Sequence, residues 1–328
     1  MIVAVDARHL TAHRGIARYT REMCVALARQ PEISEVRALV PGRAEIPSLA
    51  GVTLVRTDHS SRAVHGAAML VRRPTLRGRL GADVAWLPAP APGAPGGPYV
   101  LTVHDLSWLA RPQDFTRYER LWHRLLRMPS LVRDAARVVC DAASVAEEVE
   151  RRWGPKPLVI EPGVTFSAAA PAVRERPYLL YVGALEPRKG LEVLAAAWRE
   201  ADLDADLVLV GEGRVSIAVG ERLGAVDDVE LQRLYAGALA VVLPSLLEGH
   251  GFPPREAAAH GVPSIVSDLP TLQLPGTLRV PPGDVTALAA ALRALPGERE
   301  RLVAELPPPR SWDAAGVELA AVLREVGA

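Results

Sequence analysis

Two carboxylates eight positions apart, in the stretch Glu248-Gly-His-Gly-Phe-Pro-Pro-Arg-Glu256, enclose a glycine-flanked loop. An apolar run at 240–243 leads into it, and an alanine-rich segment at 256–260, stopped by Gly261, leads out. The order is strand, tight loop, helix. At such a junction unpaired backbone N–H groups and the positive end of the helix dipole favour an anion, and glycine lets the backbone approach it. A carboxylate on each side adds acceptors for hydroxyl groups. A second stretch, Gly183-Ala-Leu-Glu-Pro-Arg-Lys-Gly190, follows another apolar run. Arg188 can clamp a diphosphate as a bidentate fork and Lys189 as a point charge. Of 38 basic residues only Lys156 and Lys189 are lysine, so the ammonium at 189 breaks the chain's habit of using arginine. The plain alternative is a solvated basic turn. His104-Asp105 ends a third apolar run; such a histidine can donate to a ligand, move a proton, or merely bond to nearby backbone. Gly15-Ile-Ala-Arg18 opens a helical pattern whose first amides could reach an anion.

The elements that must position these residues follow from the apolar pattern. Short apolar runs bounded by Gly, Pro or Asp predict strands at 2–5, 36–40, 53–55, 84–87, 99–103, 138–140 and 158–160, with helical patterns such as 16–29 and 118–132 between them. The second half repeats the plan, with strands at 178–182, 207–210, 222–226, 240–243, 264–267 and 278–280. Strand alternating with helix predicts parallel sheets covered on both faces, an α/β protein of two doubly wound, Rossmann-like domains. The length, 328 residues, suits two domains of about 150 each. The boundary is expected near Ala170, which divides the chain into 1–169 and 170–310, and the terminal segment 311–328 carries an amphipathic helix that packs back on the first domain. In open parallel sheets ligands bind beyond the carboxyl ends of the strands. That selects the loops 6–15, 104–105, 183–190, 211–213 and 245–252; a ligand gripped by the last three would face the first domain across a cleft.

Composition narrows the function classes. The formal charge balances to zero, so no overall field draws nucleic acid or an anionic membrane to the whole surface. Cys24 and Cys140, the two cysteines, read as buried thiols rather than a disulfide or zinc site. No apolar run is long enough for a transmembrane segment, and a first strand starting at Ile2 leaves no room for a signal peptide, which predicts a cytoplasmic protein. Arg72-Arg73 with Arg77 and Arg79 reads as a solvated helix face or a peripheral contact with an anionic acceptor or lipid. Three lures are set aside. Gly211-Glu-Gly213 lacks the third glycine of a dinucleotide fingerprint, with Ser216 in its place. Asp202, Asp204 and Asp206 precede a strand and so lie at the wrong end of the sheet for a metal clamp. His9 and His13 have helical spacing but no carboxylate completes a ligand set.

Taken in order, the motifs resemble a family 4 glycosyltransferase of the GT-B fold over nearly the whole chain. They are Asp6-Ala-Arg with Gly15-Ile-Ala-Arg, Thr102-Val-His-Asp-Leu106, Tyr181-Val-Gly-Ala-Leu-Glu-Pro-Arg-Lys-Gly190, the segment 231–235, Pro244-Ser-Leu-Leu-Glu-Gly-His-Gly-Phe-Pro253, and Ser311-Trp312. The resemblance implies a retaining transferase that moves a sugar from a nucleoside diphosphate to a hydroxyl of a small molecule, glycan or lipid, with no metal and no cofactor. By the same resemblance Arg188 and Lys189 hold the donor diphosphate beside the Gly183 loop, and Glu256 binds the ribose hydroxyls. Glu248 with Gly249, His250, Gly251 and Phe252 holds the donor sugar. Gly15 brings the first helix against the phosphates, and His104 sits by the reacting carbon. The chemical step would fall to His104, Glu248, Arg188 and Lys189. The short span between Gly211 and Arg222 implies a trimmed base pocket, with base contacts at Val226 and Leu231. The chain departs from the family pattern at His250, where an aromatic or aliphatic residue is usual, at Gly190 in place of asparagine, and at Asp141-Ala-Ala-Ser144 in place of a serine-rich turn. Two other readings share the scaffold: a catalytically silent binding subunit, and a sugar phosphorylase or sugar-phosphate synthase with a second phosphate site at Arg8, Arg14 and Arg18. The acceptor loops, 106–118 and 58–79, carry no recognisable code, and the donor nucleotide is open.

Overall fold

The computed structural model describes residues 1–11, 15–42, 45–57, 75–91 and 94–328. His13, Arg14, Arg72 and Arg73 therefore lie outside the described residues. The chain divides into two compact units, Met1–Gly163 with Ser311–Ala328, and Val164–Arg310. The division falls a few residues ahead of Ala170 because the segment after Gly163 is already bonded to the second unit: Ser167 N donates to Gln232 Oε1 at 3.0 Å and Ala172 N to Arg233 O at 2.9 Å.

The first unit is built on β1 (Ile2–Asp6), β2 (Glu35–Pro41), β3 (Val52–Thr57), β4 (Val84–Leu87), β5 (Tyr99–Val103), β6 (Arg137–Cys140) and β7 (Leu158–Val159), in the order β3-β2-β1-β4-β5-β6-β7. The second is built on β8 (Tyr178–Val182), β9 (Asp206–Val210), β10 (Glu221–Gly224), β11 (Ala240–Leu243), β12 (Ser264–Ser267) and β13 (Thr277–Val280), in the order β10-β9-β8-β11-β12-β13. All the pairings among these strands are parallel. Both sheets are doubly wound. Each reverses its strand order beside its first strand, between β1 and β4 and between β8 and β11, and such a switch point opens a crevice at the carboxyl ends.

The alternation of side chains explains why the strands read as continuous apolar runs. Leu179 and Tyr181 of β8 pack with Leu209 and Val242 on one face, while Tyr178 and Leu180 pack with Val208, Val241, Leu234 and Tyr235 on the other. Neither face meets water, so neither position alternates to polar. In the first unit Tyr19, Met23 and Leu27 of helix Gly15–Ala28 are fully buried. Helix Trp312–Gly327 returns to cover that helix: the Trp312 and Tyr19 rings meet edge to face at 6.1 Å, and a Cβ on Gly316 would lie 2.8 Å from Ala26 Cβ.

The helical pattern at 118–132 is two helices, Arg117–Leu125 and Met128–Asp134. Arg127 breaks it with φ 49°, a left-handed conformation that costs a residue with a Cβ about 1 kcal/mol or more, and Pro129 restarts the helix in its first turn. Among the described residues no helix is long and apolar enough to cross a membrane.

Candidate active site

In the second unit the site forms where the loops after β8 and β11 meet, at the switch point. The loop after β8 closes in a short 3-10 turn, Pro187–Lys189, ended by Gly190 at φ 67°. A Cβ on Gly190 would come 2.0 Å from Pro244 O, so a hydrogen is all that fits between the two loops. Leu246 N donates to Arg188 O at 2.8 Å and completes the lacing. An asparagine could tolerate the left-handed backbone, but its Cβ would meet the carbonyl. This explains Gly190.

That lacing brings Lys189 and Glu248 together across 59 positions of sequence. Lys189 is 8% exposed, and its Nζ donates to Glu248 Oε1. Ser245 Oγ donates to the same oxygen at 2.7 Å, and Thr271 Oγ1 donates to Glu248 O at 3.2 Å. Arg188 Nε donates to Glu186 Oε2 at 3.1 Å. Two residues expected in separate tasks are thus one buried ion pair, and each orients the other.

Glu256 is buried at 1% exposure and accepts from Tyr235 Oη at 2.6 Å. Its helix, Phe252–Ala259, is preceded by Gly251, whose φ of 79° favours glycine; a Cβ there would lie 2.2 Å from Leu272 Cδ2, and that side chain would have to shift. Pro253 and Pro254 occupy the first turn and have no N–H. The amide donors at this junction therefore belong to the loop from Gly249 to Phe252 more than to the helix end, which corrects the simple helix-terminus picture. His250 is buried with its ring edge to face with Phe252 at 4.9 Å. Leu231 is buried in the core beside Leu234 and Tyr235, and Val226 is half-buried against the same cluster. Gly183 follows β8 with φ 154°.

In the first unit β5 and β6 pair Val103 with Cys140, and the next residues out of the sheet are His104 and Asp141. His104 Nδ1 lies 2.5 Å from Asp141 Oδ2 and Nε2 lies 2.7 Å from Pro88 O, the residue after β4. Both partners offer acceptor oxygens, so a ring that donates to both is an imidazolium, and the surroundings favour that form. Burial opposes that charge, but the Asp141 carboxylate, the Pro88 carbonyl and nearby Asp105 outweigh it and hold the imidazole above its ordinary value. The Tyr19 ring packs edge to face on His104 at 4.6 Å. Asp141 is 1% exposed, and its Oδ1 accepts no hydrogen bond among the described residues. Sequence reasoning noted Asp141 only as a departure; the signal was a carboxylate directly after an apolar strand. Gly15 opens its helix and is exposed.

The remaining motifs resolve into structure. Cβ atoms at Gly211 and Gly213 would lie 2.0 Å from Gly183 O and 2.3 Å from Leu185 O, so this glycine pair serves close packing of neighbouring loops. Asp204 and Asp206 both bind Arg176, at 2.6 and 3.1 Å. Arg8 grips Asp6 through two nitrogens in a buried ion pair, and burial keeps His9 below its ordinary value. Cys24 and Cys140 are free and buried. Among the described residues no group of three or more His, Cys, Asp and Glu is placed to hold a metal ion.

A lysine–glutamate pair at the switch point of the second sheet and a histidine–aspartate pair beyond β5 and β6 of the first mark the carboxyl ends of two Rossmann-like units, the GT-B architecture. Residues 13–168 match the model described as Glycosyltransferase Family 4, and residues 176–296 match that of Glycosyl transferases group 1. The chain belongs to the family 4 glycosyltransferases. It is 30% identical over 217 residues to the Serotype-specific mannosyltransferase WbdA of Escherichia coli, covering 52% of this chain and 26% of that protein. It is 29% identical over 213 residues to the O-antigen chain mannosyltransferase RfbU of Salmonella typhimurium, covering 59% of each. The matches thus span from about a quarter to three fifths of these relatives' lengths. Among solved structures, Sucrose-phosphate synthase from Thermosynechococcus elongatus superposes with a TM-score of 0.73 at 21% identity, covering 99% of this chain and 98% of that one.

Proposed function

We propose that the protein transfers a sugar from a nucleoside-diphosphate sugar to a hydroxyl acceptor, with retention at the anomeric carbon and without a metal. The observation that carries this reading is the Lys189–Glu248 pair at the carboxyl ends of β8 and β11, beside Arg188. An ammonium has three donors, so Lys189 can hold Glu248 and a phosphate oxygen together. As the bond from the anomeric carbon to the diphosphate oxygen breaks, its electron pair leaves with that oxygen. Lys189 and Arg188 stabilise the charge developing there more than they stabilise the intact donor. The acceptor oxygen bonds to the carbon on the face the diphosphate leaves, and its proton passes to the departing diphosphate oxygen, so no covalent carboxylate is required.

Glu248 accepts from the sugar hydroxyls and Glu256 from the ribose. Because the named relatives are mannosyltransferases, nucleoside-diphosphate mannoses come first among donors to test, with glucose and galactose donors beside them. The synthase-like reading is less supported, since Arg8, offered for a second phosphate site, is already paired with Asp6. A thermal-shift screen of nucleotide sugars, followed by donor hydrolysis, tests the proposal: a bound donor raises the melting temperature by mass action. A chain that binds and turns over no nucleotide sugar, or one in which Arg188→Ala changes neither property, refutes it.

A further inference from the structure

The chain enters the second unit at Val164 and leaves it at Arg310, and Val164 N donates to Arg310 O at 2.9 Å. Just inside that boundary one side chain grips the backbone twice. Gln232, on helix Asp228–Gly237, accepts from Ser167 N at its Oε1, 3.0 Å away, and donates from its Nε2 to Thr165 O at 3.4 Å. A backbone N–H donates and a carbonyl accepts, so these two groups fix which end of the carboxamide is which. His260 Nε2 lies 2.8 Å from the same Oε1, and a hydrogen bond there requires the Nε2–H form of the ring. Burial holds the His260 imidazole below its ordinary value, which favours the neutral tautomer.

The His260 ring continues the connection. It stacks on Tyr235, with ring centres 5.8 Å and planes 11° apart, and meets the Phe166 ring edge to face at 4.8 Å. Tyr235 Oη in turn donates to Glu256 Oε2 at 2.6 Å. Gln232 and Tyr235 are one turn apart on one helix; Glu256 and His260 are one turn apart on the other, His260 being the residue that ends it. The two helices thus meet through two side-chain hydrogen bonds with a ring stack between them. Gln232, Tyr235 and Glu256 are each 3% exposed or less, and side chains packed so closely shift together.

We propose that Gln232 and His260 are positioning residues for the donor site: they join Glu256 to the backbone Thr165–Ser167, so that a nucleotide ribose seated on Glu256 tightens that backbone. The inference rests on the reading that Glu256 accepts from the ribose hydroxyls. Every residue on the path belongs to the second unit. Such coupling is reciprocal: whatever the nucleotide adds to closure of the Gln232 bonds, loosening those bonds subtracts from nucleotide affinity.

Amide exchange at Ser167, followed by NMR in the full chain with saturating uridine, guanosine, adenosine or thymidine diphosphate, tests it. A diphosphate that binds should slow this exchange about tenfold, while saturating inorganic pyrophosphate, which has no ribose, should leave it unchanged. Gln232→Leu should raise the Kd for that diphosphate by the same factor, read by calorimetry. Tyr235→Phe keeps the ring stack and removes the bond to Glu256, and its Ser167 exchange should no longer respond to nucleotide. If Gln232→Leu fails to fold, Tyr235→Phe and the pyrophosphate comparison decide the matter. A diphosphate that binds without slowing Ser167 exchange overturns the inference alone. So does an equal response to pyrophosphate, an undiminished response in Tyr235→Phe, or a folded Gln232→Leu chain with unaltered Kd. A chain that binds none of these diphosphates removes the ribose reading of Glu256, and the inference with it.

Discussion

Replacing Asp141 with asparagine keeps the shape of the group that faces His104 and removes its charge. The two side chains are 13% and 1% exposed and meet at 2.5 Å. With charge centres roughly 4 Å apart and an effective dielectric near 20, their attraction is about 4 kcal/mol. Part of that is offset by the cost of burying both ions, so Asp141→Asn is expected to lose about 2–4 kcal/mol at pH 5.5. The pH dependence fixes the cause. The folded imidazole titrates above its unfolded value of 6.5, so the pair's stabilisation is complete below 6.5 and is lost as pH rises through the folded value. At a second pH, chosen above the folded value, the ring is neutral, the buried carboxylate has lost its cation, and the difference between variant and parent should shrink or reverse. Denaturant unfolding at the two pH values, with the titration of the His104 ring followed by nitrogen NMR, measures both effects. Parallel stability–pH curves for parent and variant, or a His104 ring that titrates identically in both, would refute the reasoning and reduce Asp141 to a packing residue.

Lys189→Ala leaves Glu248 buried without its cation and should cost about 3–5 kcal/mol, much of it recovered in Lys189→Ala/Glu248→Gln; a double-mutant cycle by chemical unfolding reads the coupling. Gly190→Ala drives a Cβ toward Pro244 O at positive φ and should destabilise by at least about 2 kcal/mol while weakening donor-induced thermal shift. Tyr235→Phe removes the buried donor to Glu256, an expected loss of about 1–3 kcal/mol visible as a lower melting temperature. Burial pushes the Cys24 thiol up to about 12 and raises that of Cys140 as well, so neither should react with a disulfide reagent at pH 8 until the chain unfolds.

The strands were legible because residues such as Leu179, Leu180, Val241 and Val242 are buried on both sheet faces, and an unbroken apolar run is the trace this leaves in sequence. The loops at their carboxyl ends were legible for the same reason, since Gly183, His104 and Pro244 follow those runs directly. Pairings were not. Lys189 meets Glu248 because the chain crosses over and lays β11 beside β8, a choice no local period records. His104 meets Asp141 because Val103 pairs with Cys140, so that one residue of register decides whether the histidine meets a carboxylate. The break at Arg127 was hidden by apolar spacing that continues across it, although Pro129 offered a signal.

Helix Trp312–Gly327 belongs to the first unit but is the last element in the chain. A ribosome therefore releases the whole second unit, Val164–Arg310, before the first unit can be finished. Until then the face of helix Gly15–Ala28 that carries Ala26, and the Tyr19 edge that meets Trp312, have no cover of their own. The unit encoded first is the one completed last, and a nascent chain stalled anywhere before Ser311 presents that apolar helix to chaperones.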